Sequence, residues 1–177
     1  MTQQDLSRPA WIRAALAEFE ARLLRYAASI TGDADRARDV VQDTFLRLCA
    51  ADRAKVEGHL APWLYTVCRN RALDVRKKEG RMNPLTEGQA EALADSAAGP
   101  GDVAAQNETQ RLVMAAMAGL PEDQREACRL KFQDNLSYRE ISQIMEVSLG
   151  TVSNLITRAM SHVRAELSAH LDLAQEV

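Results

Sequence analysis

The sequence predicts an all-α protein: two small helical domains joined by a flexible linker, the second containing a helix-turn-helix. Three observations carry this expectation. Alanine, leucine, arginine and glutamate are plentiful, while the 177 residues include only 5 prolines and 8 glycines, a composition that favours helix over strand. Apolar residues recur at steps of three and four rather than alternating, the period of helices with one buried face. Residues 82–101, MNPLTEGQAEALADSAAGPG, are small, acidic and Pro/Gly-bounded, with no basic or aromatic residue, the composition of a linker. The expected domains are therefore 1–81 and 102–177.

A first helix is expected from Pro9 to Ile30, where Leu16, Phe19, Leu23, Tyr26, Ala27 and Ile30 keep helical spacing. Thr31-Gly32-Asp33 breaks it, and Asp33 is suited to cap a second helix. That helix carries an apolar stripe of Ala37, Val40, Val41, Phe45 and Leu48, with Asp39, Gln42, Asp43 and Arg47 on its outer face. Residues 50–59, AADRAKVEGH, read as a polar loop. Pro62 then suits the first turn of a third helix that reaches Lys78. At about 100° per residue, Leu60, Leu64, Val67, Cys68, Ala72 and Val75 share one arc of this helix. Thr66, Arg69, Asn70, Arg76 and Lys77 occupy the opposite arc, with Leu73 breaking the pattern among them.

Within the linker, residues 90–94 are compatible with a short helix. Two further helices are expected over 103–120 and 122–133, with Pro121 placed to start the second. Ser137 and Glu140 then have the spacing of a capping box, each side chain reaching the other's backbone amide. The box opens a short helix with Ile141, Ile144 and Met145 inward. Ser148 is placed to cap a longer helix whose apolar arc is Val152, Leu155, Ile156, Ala159 and Val163. Its outer arc holds Ser153, Asn154, Thr157, Arg158, Ser161 and Arg164. A short capped helix, a tight turn and a longer helix with a small polar face form the pattern of a helix-turn-helix.

Charge narrows the function. Residues 1–81 hold 15 Lys/Arg against 11 Asp/Glu, and 102–177 hold 7 against 11, within a chain of net charge −3. Positive charge is concentrated between Arg69 and Arg81, a patch that attracts polyanions. The acidic whole argues against indiscriminate coating of nucleic acid. No apolar run approaches the roughly 18 residues that span a bilayer, and MTQQDLSRPAWIR lacks a basic-then-apolar signal pattern, so a cytoplasmic protein is expected. The 3 cysteines, Cys49, Cys68 and Cys128, have no metal-binding or disulfide spacing and read as small core residues. His59, His162 and His170 are scattered, and no G-x-S-x-G or P-loop occurs. No catalytic site, metal, cofactor or small-molecule substrate is expected.

Each remaining face has a functional and a plain reading. The polar arc of the last helix suits a major groove, where Asn, Thr, Ser and Arg reach base edges and phosphates; an ordinary solvated hairpin has the same pattern. The basic arc of the third helix fits nucleic acid or plain surface, and the 52–59 segment beside it offers room for an unstacked base. Asp39, Gln42 and Asp43 suit a basic protein partner, or simply water.

Three stretches together resemble one family: DADRARDVVQDTFLRL at 33–48, APWLYTVCRNRALDVRKKEGR at 61–81, and LPEDQREACRLKFQDNLSYREISQIMEVSLGTVSNLITRAMSHVRAEL at 120–167. The chain resembles the bacterial sigma-70 family of transcription initiation factors, in its compact extracytoplasmic-function group. The resemblance implies that Asp39, Gln42, Asp43 and Arg47 meet the β′ clamp helices of core RNA polymerase. It places Arg69, Asn70, Arg76 and Lys77 on the −10 promoter element, with 52–59 holding a flipped base. Ser153, Asn154, Thr157, Arg158 and Arg164 would read the −35 element while the second domain docks on the β flap. The linker would thread the RNA channel, and a separate anti-sigma factor would regulate the protein, holding it at the inner membrane face in some cases. A polymerase-independent helix-turn-helix regulator is the alternative.

Geometry is consistent with this. Promoter elements two helical turns apart lie roughly 70 Å from each other. The linker averages roughly 22–27 Å as a coil and reaches about 66–72 Å when drawn straight. The sequence departs from the family pattern at Glu146, where Gly is usual, at Ser142, where Ala is usual, and near Ser153, where Lys is usual. Glu146 implies a turn that differs from the left-handed one.

Overall fold

A computed structural model describes residues 7–82 and 103–175, with side chains described for 7–79 and 110–170. The chain forms two compact units, and the described residues include no strand. The expected linker and its short helix at 90–94 lie outside the described residues.

In the first unit, α1 (Arg8–Thr31), α2 (Ala34–Ala50) and α4 (Leu60–Met82) pack against one another. The breaks between them are chemical. Gly32 takes the left-handed conformation that ends α1, with φ 69°, and donates its amide to the Ala28 carbonyl at 2.9 Å. Asp33 caps α2, accepting the Arg36 amide at 2.9 Å. That hydrogen bond, ahead of nearby arginine charge, holds the Asp33 carboxyl below its usual range. At the other end of α2, Arg8 Nη2 donates to the carbonyls of Cys49 and Ala51, both at 2.7 Å, placing a cation on the negative end of the helix.

The core of this unit is Trp11, Phe19, Leu23, Tyr26, Val40, Leu48, Leu64 and Tyr65. Tyr26 and Tyr65 meet with ring centres 5.2 Å apart. Tyr65 lies outside the apolar arc expected for α4, whereas Val67 and Val75 inside that arc are only half-buried. The helix is rolled toward Tyr65 because a large ring covers more apolar surface than either valine. The expected polar loop at 50–59 also carries structure. Asp52 caps a single turn, α3 (Arg53–Val56), accepting the Ala54 amide at 3.1 Å, and a 3₁₀ turn, Glu57–His59, leads into α4.

The second unit packs α5 (Val103–Ala118), α6 (Glu122–Cys128) and α7 (Tyr138–Met145) on α8 (Leu149–Gln175). Ala116, Leu120, Cys128, Ala159 and Val163 form one buried cluster, flanked by Met117 and Leu167. Arg125 closes the end of α5, donating to the carbonyls of Met117, Ala118 and Leu120 at 3.2, 2.7 and 2.8 Å. The expected 122–133 helix widens into a π turn, Arg129–Gln133, and ends at Asn135 with φ 54°. The capping box of α7 forms as expected: the Ser137 hydroxyl accepts the Glu140 amide at 3.3 Å, and Glu140 accepts the Ser137 amide at 2.7 Å. Ser148 caps α8 by accepting the Thr151 amide at 3.0 Å.

The turn between α7 and α8 corrects one expectation. Glu146 adopts the left-handed conformation after all, with φ 57° and ψ 39°, and its amide and that of Val147 both bond to the Ser142 carbonyl. The Ser142 hydroxyl donates to the Val147 carbonyl at 2.6 Å, so this serine ties the turn from both ends. A second correction concerns thiols: Cys68 and Cys128 are buried, but Cys49 is exposed.

Three outcomes are expected. Glu146→Gly should stabilise the second unit by about 0.5–1 kcal/mol by removing left-handed strain, and Ser142→Ala should cost about 1 kcal/mol for the lost hydrogen bond, both read by urea unfolding followed by circular dichroism. Burial pushes the Cys68 thiol up to about 12 and also raises Cys128, so both stay protonated near neutrality. Maleimide at pH 7 should therefore label Cys49 alone in the native protein; rapid labelling of Cys68 would contradict the packing.

Candidate functional site

Three exposed helix faces carry the candidate residues. On α2, burial of Ala37, Val40, Val41, Thr44, Phe45 and Leu48 turns Asp39 and Gln42 fully outward and leaves Asp43 half-buried. At about 100° per residue, Leu46 falls in the middle of this group and Arg47 at its edge. Leu46 is 60% exposed, so the acidic face surrounds an apolar centre. Sequence reasoning missed this residue, although its place outside the apolar stripe was readable from spacing.

Asp43 also faces inward across the unit. Its Oδ2 accepts from Arg71 Nε of α4 at 2.7 Å, and Arg36 pairs with Glu79 further along the same two helices. Asp43 therefore begins with a partner, whereas Asp39 has no ion pair or hydrogen bond described.

On α4, the fully buried residues Leu64, Tyr65, Cys68 and Ala72 face the core. Asn70, Arg76 and Lys77 are exposed on the opposite side, with Arg69 half-buried beside them and Leu73 half-buried in their midst. Next to the start of α4, the α3 turn exposes Asp52, Ala54, Lys55, Gly58 and His59 while burying Val56. A side chain added at Gly58 would meet nothing within 4 Å, so this edge is open.

On α8, Val152, Ile156, Ala159 and Val163 are buried. Ser153, Asn154, Thr157, Arg158, Ser161 and Arg164 are all exposed on the other side, as the spacing predicted. Leu149, 53% exposed, stands at the open first turn of the helix. Next to the helix pair, Phe132 is 59% exposed and Lys131 Nζ lies 5.5 Å from the centre of the Tyr138 ring. Among the described residues no three His, Cys, Asp or Glu side chains group as metal ligands, and no helix is long and apolar enough to cross a membrane.

Such faces are suited to recognition: small polar groups on a helix that a groove can admit, cations on a second helix, and an acidic rim around a leucine on a third. Comparisons with known proteins identify the family that carries them. Residues 15–82 match the family model of Sigma-70 region 2, and residues 110–163 match that of Sigma-70 region 4. The first match spans α2, α3 and α4, and the second spans α6, α7 and most of α8. The ECF RNA polymerase sigma factor EcfG of Rhodopseudomonas palustris is 34% identical over 147 residues, covering 82% of this chain and 78% of the relative. The ECF sigma factor SigM of Bacillus subtilis is 28% identical over 141 residues, covering 80% and 85%.

Among solved structures, the sigma factor RpoE in complex with the anti-sigma factor NepR, from Bartonella quintana, aligns with a TM-score of 0.67 at 25% identity, over 88% of this chain and 96% of that one. CnrH in complex with the cytosolic domain of CnrY shares the fold, with a TM-score of 0.59 at 21% identity over 94% and 92%. With both regions matched in order and a relative similar over most of its length, the chain belongs to the sigma-70 family, as an RNA polymerase sigma factor of the extracytoplasmic-function type.

Proposed function

We propose that this sigma factor docks on core RNA polymerase through α2 and uses α4, the 52–59 segment and α8 to choose promoters. Asp39, Gln42, Asp43 and Arg47 meet the β′ clamp helices, with Leu46 adding apolar contact at the centre. Arg69, Asn70, Arg76 and Lys77 follow the −10 element, and the 52–59 segment takes a flipped base. Ser153, Asn154, Thr157, Arg158 and Arg164 lie along the −35 element while the second unit sits on the β flap. The acidic 82–101 sequence occupies the RNA channel. The protein acts in the cytoplasm as a non-enzymatic initiation factor that needs no cofactor. Its likeness to RpoE, solved with NepR, supports control by an anti-sigma partner, which would hold this protein at the inner membrane face where that partner is membrane-bound.

One observation carries this reading: α4 and α8 are each locked by a fully buried stripe, which leaves the polar arc of each helix turned to solvent. The polar arc of α8 carries only Arg158 and Arg164 as cations, and phosphate neutralisation supplies most of the affinity of a protein for DNA. The chain therefore depends on the polymerase to hold it on the promoter. A polymerase-independent regulator would need more phosphate contacts than Arg158 and Arg164 supply.

Reconstituted transcription tests this. Core polymerase plus this protein should initiate from a subset of a broad promoter library, while the protein alone should bind none of it tightly. Initiation from none of the library, or tight binding by the free chain, would overturn the reading. Asp39→Lys should abolish co-purification with core and leave the circular dichroism spectrum intact. Asp43→Lys should do the same and also cost about 0–1 kcal/mol of stability, because it breaks the half-exposed pair with Arg71. Arg158→Ala should weaken −35 recognition by about 1–3 kcal/mol at one position if it reads a base, and weaken all sequences equally if it holds a phosphate.

A further inference from the structure

The 52–59 segment is fastened from beneath by a cluster that the reading above does not use. Arg53 Nη2 donates to Glu57 Oε1 at 2.6 Å, one helical turn away, with side chains 20% and 24% exposed. The same guanidinium lies 5.4 Å from the centre of the Trp11 ring, which reaches over from α1. Trp11 is 1% exposed, and its Nε1–H has no hydrogen-bond acceptor among the described residues. Burying an indole N–H without a partner is unfavourable, so the site keeps tryptophan for its area and its face. Beside them Val56 is buried, and Asp52 caps the turn.

We propose that Arg53 is a positioning residue for base recognition: set over the face of Trp11 and tied to Glu57, it holds the α3 turn in one preformed orientation. Lys55, Gly58 and His59 then present a fixed rim to the unstacked −10 base. The proposal rests on reading 52–59 as the single-strand reader. Its physical basis is preorganisation, since a segment already ordered before binding loses less freedom when the base arrives. Arginine is required because its broad, multiply donating guanidinium lies over a ring face and pairs with a carboxylate at the same time, which a compact lysine ammonium does not reproduce. The rim itself is open: nothing lies within 4 Å of a Cβ built at Gly58.

The test uses full-length protein in reconstituted holoenzyme and a promoter library randomised across both elements, with transcripts sequenced. Arg53→Ala, Arg53→Lys and Trp11→Leu should each flatten base preference at one −10 position by about tenfold. Preference across −35 and affinity for core should stay within about twofold. Trp11→Phe, which keeps an aromatic face and removes the unpartnered N–H, should preserve the preference. Unchanged preference in Arg53→Ala, with normal core binding, would overturn the proposal and leave the promoter reading standing. Equal loss at every position would reduce Arg53 to a general structural role and overturn it as well. Wild-type holoenzyme with no −10 preference would instead overturn the promoter reading beneath it.

Discussion

The rotation of two helices about their own axes is the constraint on which the rest depends. Leu64, Tyr65, Cys68 and Ala72 of α4 are fully buried, as are Val152 and Ala159 of α8. Turning either helix by even one residue would expose part of that stripe and bury a charge, which costs far more than a few contacts return. Core packing therefore determines which polar side chains can meet a partner. In the proposed function, specificity follows from how the apolar stripes are cut, with the outward residues chosen from whatever arc remains.

Both units close the exposed ends of helices with arginine. Arg8 holds the last carbonyls of α2 and Arg125 those of α5. Sealing these ends matters in domains this small, where little apolar surface is available to offset unsatisfied backbone groups. The helix-turn-helix uses a different device. Glu146 occupies a left-handed position that glycine takes more easily, and the Ser142 hydroxyl bonds across the turn to Val147. Two of the three departures from the family pattern meet at this one turn, the Ser142 hydroxyl offsetting the strain at Glu146 and keeping α7 and α8 in register.

Much of this was legible in the sequence. Caps at Asp33, Ser137 and Ser148 are local chemistry and were readable residue by residue; so were the stripes of α2 and α8, where periodicity is clean. What escaped depended on tertiary context. Tyr65 carries a hydroxyl, and only the proximity of Tyr26 shows that its ring belongs inside. The turn at 53–56 is too short to produce a period, and its hold on Trp11 joins residues 42 apart in sequence. Cys49 looked like core because cysteines usually are, but it falls on the wrong side of α2. Asp43 was assigned to the outer face of α2, and its pairing with Arg71 appears only when the helices cross. Leu46 was passed over because a lone exposed leucine is ordinary until its acidic neighbours are seen around it.

In the proposed function α2 is the face that polymerase covers and α8 a face that only promoter DNA covers. Hydroxyl-radical footprinting of the protein free, bound to core, and bound to core with promoter tests that division most directly. Leu46 should lose reactivity as soon as core is added, while Leu149 and Met160, beside the polar arc of α8, should lose it only when promoter is present. Persistent reactivity of Leu46 in the holoenzyme, or full protection of the α8 residues by core alone, would contradict the account.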